Sequence, residues 1–288
     1  VYTNKVPAGS FRGVGKAQVT WGCESLIDAV ARGIGVDPLE FRRKNILQRG
    51  EQVVEGTTPL DADFGDLMDR ASEAIGWDGH IDNNPEATDS RIVKGRGMAV
   101  SLRHGYLGSG RSYAIATIDR RGIVTIRQNA TEIGEGIYSI VSRVASETLG
   151  IPQEYIRVTN PDTFQNPYYD GVSSQRSTVC MGNAVQEACE DLKRELIEVA
   201  SKSKGGSPEE WRVAEGRLWR GEEDFSFGEI ASSLGGAVTV MGSGAYSTAR
   251  AENPFGGIVP HWAVSVATAE VEVDRETGHV KLLKFGTV

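Results

Sequence analysis

Cysteine is scarce. Cys23, Cys180 and Cys189 are the only three in 288 residues, with no CxxC and no Cys–His spacing, so neither a disulfide framework nor a zinc or iron–sulfur centre is encoded. A reducing compartment, the cytoplasm, is the expected location. His80, His104, His261 and His279 are too scattered to build a metal site. No apolar run approaches the roughly 20 residues that span a bilayer, and residues 1–15 carry neither a signal-peptide stretch nor a lipidation motif. A basic tract is also missing. Thirty-one Lys and Arg stand against 39 Asp and Glu, and the net charge of -8 disfavours nucleic acid and anionic membranes as partners. The GxSxG, HExxH and GxxxxGK-Ser/Thr patterns do not occur, which removes support for common hydrolases and P-loop enzymes.

Glycine, by contrast, is abundant at 35 residues, and with 39% hydrophobic and 24% charged residues the balance is that of a folded protein rich in turns. The length suits one large domain or two ordinary ones.

The first part of the chain is helical. Cys23, Leu26, Ile27, Val30, Ala31 and Ile34 recur at spacings of three and four, predicting an amphipathic helix with that stripe buried and Gly33 and Gly35 at its end. Asp37-Pro38-Leu39-Glu40 supplies a capping carboxylate and a proline at the first helical position. Phe64, Leu67, Met68, Ala71 and Ile75 mark a third helix. The polar segment 78–90 then sets the boundary, giving a helical region 1–80 and a mixed sheet and helix region 91–288. There, strands are predicted over 92–101, 112–118 and 123–129, the last two joined by a turn at 119–122. A helix on Ile137, Ile140, Val141, Val144, Ala145 and Thr148 follows, closed by Gly150. A strand over 155–159 leads into a polar loop, 160–178, and then a long helix on Met181, Val185, Ala188, Leu192, Leu196 and Val199. The segment 205–227 gives no clear function, 235–244 reads as a strand with close neighbours, and 262–273 and 279–285 form a final hairpin. The fold class is α+β.

Three loops could carry chemistry. Phe11-Arg12-Gly13-Val14-Gly15 places a guanidinium beside two glycines, suited to a polar ligand or to an ordinary surface turn. Gly134-Glu135-Gly136 lies between a strand and a helix, where backbone amides and the helix dipole favour an anion. The alternative there is a tight turn with no ligand, and the Glu135 charge repels phosphate. Ser173-Ser174-Gln175-Arg176-Ser177-Thr178 presents hydroxyls, an amide and a guanidinium, suited to phosphate or a pterin edge, with helix capping by Ser177 or Thr178 as the plainer role.

Taken in order, these loops resemble the molybdenum-binding subunit of the xanthine dehydrogenase and aldehyde oxidase group of molybdenum hydroxylases. The resemblance rests on Thr3-Asn4, Pro7-Ala8-Gly9-Ser10-Phe11-Arg12-Gly13-Val14-Gly15, Glu24-Ser25-Leu26-Ile27-Asp28 and Asp37-Pro38-Leu39-Glu40 ahead of Arg42, Lys44 and Asn45. It continues through Gly95-Arg96-Gly97, Thr131-Glu132-Ile133-Gly134-Glu135-Gly136, Arg176-Ser177-Thr178 and Val271-Glu272-Val273-Asp274 with Thr277-Gly278. It implies a molybdopterin-binding fold, incomplete at both ends, in which Arg12, Gly13, Val14, Gly134, Glu135, Gly136, Gln175, Arg176, Ser177 and Thr178 contact molybdenum-molybdopterin, including its cytosine dinucleotide form, without side-chain ligation of the metal.

The implied reaction hydroxylates an electron-poor C–H carbon of a small molecule with oxygen from water, the metal activating that water. The base glutamate is expected beyond this chain, which alone would be inactive. Implied partners are the rest of the molybdenum subunit, an iron–sulfur subunit and an FAD subunit. Two positions depart from the family's pattern: Glu135 replaces its usual glutamine, and Val14 stands where a substrate-facing aromatic is common. The carbon monoxide subgroup fits less well, because residues 11–15 contain no cysteine. The alternatives are a scaffold or assembly module of the same fold without cofactor, and an unrelated acidic protein binding a phosphorylated small molecule.

Overall fold

A computed structural model describes residues 4–6, 9, 11, 13–77, 91–104, 110–173, 175–235, 239–248 and 262–288. Among them are six α-helices and ten strands, numbered below in chain order. The chain forms two units, one of residues 1–104 with 253–288 and the other of 105–252, so the second is inserted in sequence within the first. The boundary expected at 78–90 falls outside the described residues.

In the first unit, helix α1 (Lys16–Gly33) forms where the apolar spacing placed it, but its stripe is not buried. Only Ala31 is fully enclosed, while Leu26 is 64% and Ile34 61% exposed. The physical reason is that α1 is anchored by charge. The buried Arg42 guanidinium donates from Nε to Glu24 Oε2 (2.9 Å) and from Nη1 to Asp28 Oδ1 (2.7 Å).

Helix α2 (Pro38–Asn45) starts as its sequence dictates, the Asp37 side chain accepting from the amides of Leu39 (2.7 Å) and Glu40 (3.2 Å). Helix α3 (Phe64–Ile75) buries Phe64, Met68, Ala71 and Ile75. It lies on a sheet of order β1-β9-β10, comprising β1 (Ile92–His104), β9 (Trp262–Asp274) and β10 (Val280–Thr287), all antiparallel. Thr268 Oγ1 donates to the Ala71 carbonyl (2.7 Å), and Lys284 Nζ donates to that of Ile75 (2.8 Å), fixing the helix to the sheet.

In the second unit, β2 (Arg111–Ile118) and β3 (Val124–Arg127) form the expected hairpin. They sit in a sheet of order β4-β3-β2-β8 with β4 (Ile156–Val158) and β8 (Val240–Ser247). Burial alternates along β2 and β3, the pattern of a sheet covered on one face. Helix α4 (Ile137–Leu149) and the long α5 (Gly182–Lys204) provide the cover, with Ile118, Ile126, Ile137, Leu149, Met181, Leu192 and Leu196 fully buried between layers. The segment without a functional reading makes a small meander of β5 (Trp211–Ala214), β6 (Arg217–Arg220) and β7 (Glu223–Ser226). It runs into α6 (Phe227–Ser233) through a capping box of Ser226 and Glu229. Helices and sheets are thus mixed without a strict alternation, an α+β fold.

Candidate functional site

Two of the three candidate loops lie in the second unit, and the fold brings them together. The turn before α4 and the turn before α5 are 42 residues apart in sequence, yet the Ser177 hydroxyl donates to Glu135 Oε1 (3.2 Å). Ser177 is buried, whereas Glu135, Gln175 and Thr178 are exposed around it. The α5 approach is a π-helical turn over Ser177–Met181, a device that admits an extra residue and redirects a side chain. Ser177 accordingly contacts the other loop and makes no cap of the helix. Gln175 holds a φ of +61°, a left-handed value that only three non-glycine residues adopt among those described. Arg176 Nη1 donates to the Asp170 carbonyl (2.9 Å), tying the turn back to the middle of the 160–178 loop.

Three residues outside the predicted set belong to this cluster. Tyr169 places its hydroxyl 3.4 Å from Ser177 Oγ, and burial raises its pKa above the ordinary phenol value. Asp170 is held below the ordinary carboxylate range, first by the Tyr168 hydroxyl and also by the Arg111 amide (2.8 Å). Glu132 accepts from the amides of Gly134 (2.6 Å) and Gly136 (3.0 Å). None of the three stands out in sequence, because an acid or tyrosine in a polar loop is ordinary surface composition. Cys180 is buried in the same π-helical turn as Ser177, and burial pushes its thiol up to about 11, which disfavours the thiolate.

The third loop is in the first unit. Arg12 lies outside the described residues, as does Ser174. Gly13 and Val14 form a turn in which the Val14 amide donates to the Phe11 carbonyl (2.6 Å) and the Lys16 amide to that of Gly13 (2.9 Å). Val14 has a φ of +51°, costly for a β-branched residue and the kind of strain found where a loop is shaped for a ligand. Gly13 and Val14 line a cavity of about 830 Å³ with Cys23, Val54, Leu102 and Trp262, within the range of small-molecule sites. Among the described residues no cluster of three or more His, Cys, Asp or Glu could hold a metal ion, and no helix is long and apolar enough to cross a membrane.

Residues 70–288 match one molybdopterin cofactor-binding domain and residues 1–46 another. The chain belongs to the molybdopterin cofactor-binding family. Within this family it is 26% identical, over 100% of its length and 37% of the relative's, to 6-hydroxypseudooxynicotine dehydrogenase complex subunit gamma of Paenarthrobacter nicotinovorans. It is 28% identical, over 95% of its length and 36% of the relative's, to the aldehyde oxidoreductase molybdenum-binding subunit of Escherichia coli K12.

Two solved structures share the fold. CO dehydrogenase from Oligotropha carboxidovorans has a TM-score of 0.77 at 19% identity, covering 99% of this chain and 38% of its own. Quinoline 2-oxidoreductase from Pseudomonas putida 86 has 0.73 at 20%, covering 98% and 38%. The chain therefore spans a little more than a third of the length of these relatives. The family match agrees with the α+β architecture and with the family resemblance.

Proposed function

We propose that this chain is the molybdopterin-holding part of a molybdenum hydroxylase large subunit, and that the Glu135–Ser177 pair is its contact with the pterin. The observation that carries the reading is the convergence of two distant loops, through the Ser177-to-Glu135 hydrogen bond, in a chain of this family. The donor set fits a polar heterocycle edge. Glu135 offers acceptors, Ser177 and Thr178 offer hydroxyls, Gln175 an amide, and the Tyr169 hydroxyl backs Ser177. Gly134, Gly136 and Arg176 of the same unit frame the proposed contacts.

When bound, the group supplies metal-centred redox chemistry that hydroxylates an electron-poor carbon with oxygen from water. The residues of this chain orient it, and the base glutamate is assigned to polypeptide beyond these residues. The proposal extends to the cytosine dinucleotide form, to iron–sulfur and FAD subunits as the route for electrons, and to a cytoplasmic setting.

Purification of the complete complex with metal analysis and pterin fluorescence tests this. Stoichiometric molybdenum and pterin are expected in the wild type. In Ser177→Ala, loss of a hydrogen bond to a charged acceptor is expected to weaken retention about tenfold. Complete absence of both from the wild type, with all partners present, would instead favour the scaffold reading, in which Glu135 marks a fold that has lost its cofactor.

A further inference from the structure

The turn between β3 and α4 is filled from within. Gly134 and Gly136 have φ values of +103° and +80°, left-handed conformations that glycine adopts without penalty and that aim nearby N–H groups at one point. Such a point at a helix start attracts an anion. Here the anion is Glu132, whose Oε1 alone accepts from both the Gly134 amide (2.6 Å) and the Gly136 amide (3.0 Å). Those two donors, Gly136 first, hold its carboxyl below the ordinary carboxylate range, and the amides of Ile137 and Glu135 act in the same direction.

The second acid of the turn faces elsewhere. Glu135 Oε2 accepts from the Ile133 amide (2.9 Å), and its Oε1 accepts from Ser177. Two carboxylates of one turn therefore take the amides of residues 133, 134 and 136, the very groups a phosphate would need.

We propose that Glu132 is the built-in anion of this turn, closing the amide pocket at the start of α4 to phosphate and fixing Glu135 against Ser177. A bound group then meets a carboxylate–hydroxyl pair in place of backbone amides. The chemistry that fits is an edge rich in N–H or O–H donors, such as the amino and ring N–H groups of a polar heterocycle; a phosphate would meet two negative side chains. Glu132 touches no ligand in this scheme and is a positioning residue acting through Glu135. Its assignment stands on the geometry of the turn, and only the nature of the bound group rests on the cofactor reading above.

Amide hydrogen exchange over residues 131–137 of the complete protein tests the assignment, with Glu132→Ala and Glu132→Gln as variants and formate and inorganic phosphate as probes. The wild type is expected to protect the Gly134 and Gly136 amides and to ignore phosphate. Glu132→Ala is expected to exchange at least about tenfold faster, with formate or phosphate restoring protection by entering the emptied pocket. In Glu132→Gln the side-chain amide oxygen can replace Oε1, so exchange stays within roughly threefold of wild type. Unchanged exchange in Glu132→Ala, or phosphate protecting the wild type as strongly as the variant, would overturn the proposal. Metal and pterin content measured on the same preparations keeps the two ideas separate: a cofactor-free wild type counts against the cofactor reading and leaves the exchange result untouched.

Discussion

Replacing Gly244 with alanine is expected to lower the unfolding midpoint of the 105–252 unit by roughly 6–12 °C, corresponding to a loss of about 3 kcal/mol. A Cβ at Gly244 would sit 2.0 Å from the Ala184 carbonyl oxygen and 2.4 Å from the Ala188 amide nitrogen. At Gly242 it would sit 2.2 Å from the Leu192 nitrogen. All of these atoms belong to the backbone of α5, so no side-chain rotation relieves the clash, and β8 must lift from the helix. Leu192 and Leu196, fully buried on the same helix, would lose their packing as it separates. Gly97→Ala is the matched control: it too lies in a strand, but its Cβ would meet nothing within 4 Å, and a change of no more than about 0.5 kcal/mol is expected. Thermal unfolding of the two variants side by side checks the prediction. Equal midpoints would show that β8 yields to α5 without cost. Because α5 continues directly from the turn bearing Ser177, the Gly244 variant is also expected to retain less molybdenum per folded chain.

Much of this architecture was legible in the sequence, and where it was not, the missing information was spatial. Helices α3 and α4 could be read together with their buried faces, because Phe64, Met68 and Ile75, or Ile137, Val141 and Ala145, recur at helical spacing over a sheet that needs covering. The same reasoning found α1 but not the fate of its stripe. Periodicity says which face is apolar; whether Leu26 and Ile34 have anything to pack against is a property of the fold. The Gly134–Gly136 turn was readable as an anion-attracting shape, yet the identity of the anion was not, since Glu132 is one acid among many in polar turns. Ser177 illustrates the reverse case. A hydroxyl before a long helix reads as a cap, and only the π-helical turn, invisible to spacing arguments, aims it at Glu135 instead. Residues 205–227 offered no functional pattern because four-residue strands alternate too briefly to separate from loop.

Glu24, Asp28 and Arg42 lie in the stretches that carry the family resemblance, and the structure gives them a physical task with a large expected effect. Arg42 is buried and makes four hydrogen bonds: Nε to Glu24 Oε2 (2.9 Å), Nη1 to Asp28 Oδ1 (2.7 Å) and to the Pro38 carbonyl (3.1 Å), and Nη2 to the Glu24 carbonyl (3.3 Å). Glu24 Oε2 also accepts from the Val100 amide (3.0 Å), so one cluster joins α1, α2 and β1. Removing the guanidinium leaves two largely enclosed carboxylates, Glu24 and Asp28, with the half-exposed Arg32, 3.9 Å from Asp28 Oδ2, as a poor replacement for the buried counter-charge. Arg42→Ala is therefore expected to destabilise the first unit by about 3–5 kcal/mol, a large share of the roughly 5–15 kcal/mol that holds an ordinary domain together. Arg42→Lys keeps the charge but not the planar fork, and should fall between the two.

The decisive comparison adds Glu24→Gln and Asp28→Asn to the alanine variant. If charge repulsion is the main penalty, the triple variant regains a substantial part of the lost stability; if packing of the arginine stem is, it regains none. Chemical denaturation with a probe in α1 reads both. A loss below about 0.5 kcal/mol in Arg42→Ala, the range of an ordinary surface change, would show that α1 is held by something other than this cluster. The consequence reaches the candidate site, because α1 buries so little apolar surface of its own. With the ionic anchor gone, the Gly13–Gly15 turn at its start loses the support that holds Val14 in a strained conformation. Its left-handed geometry should relax before the rest of the unit melts.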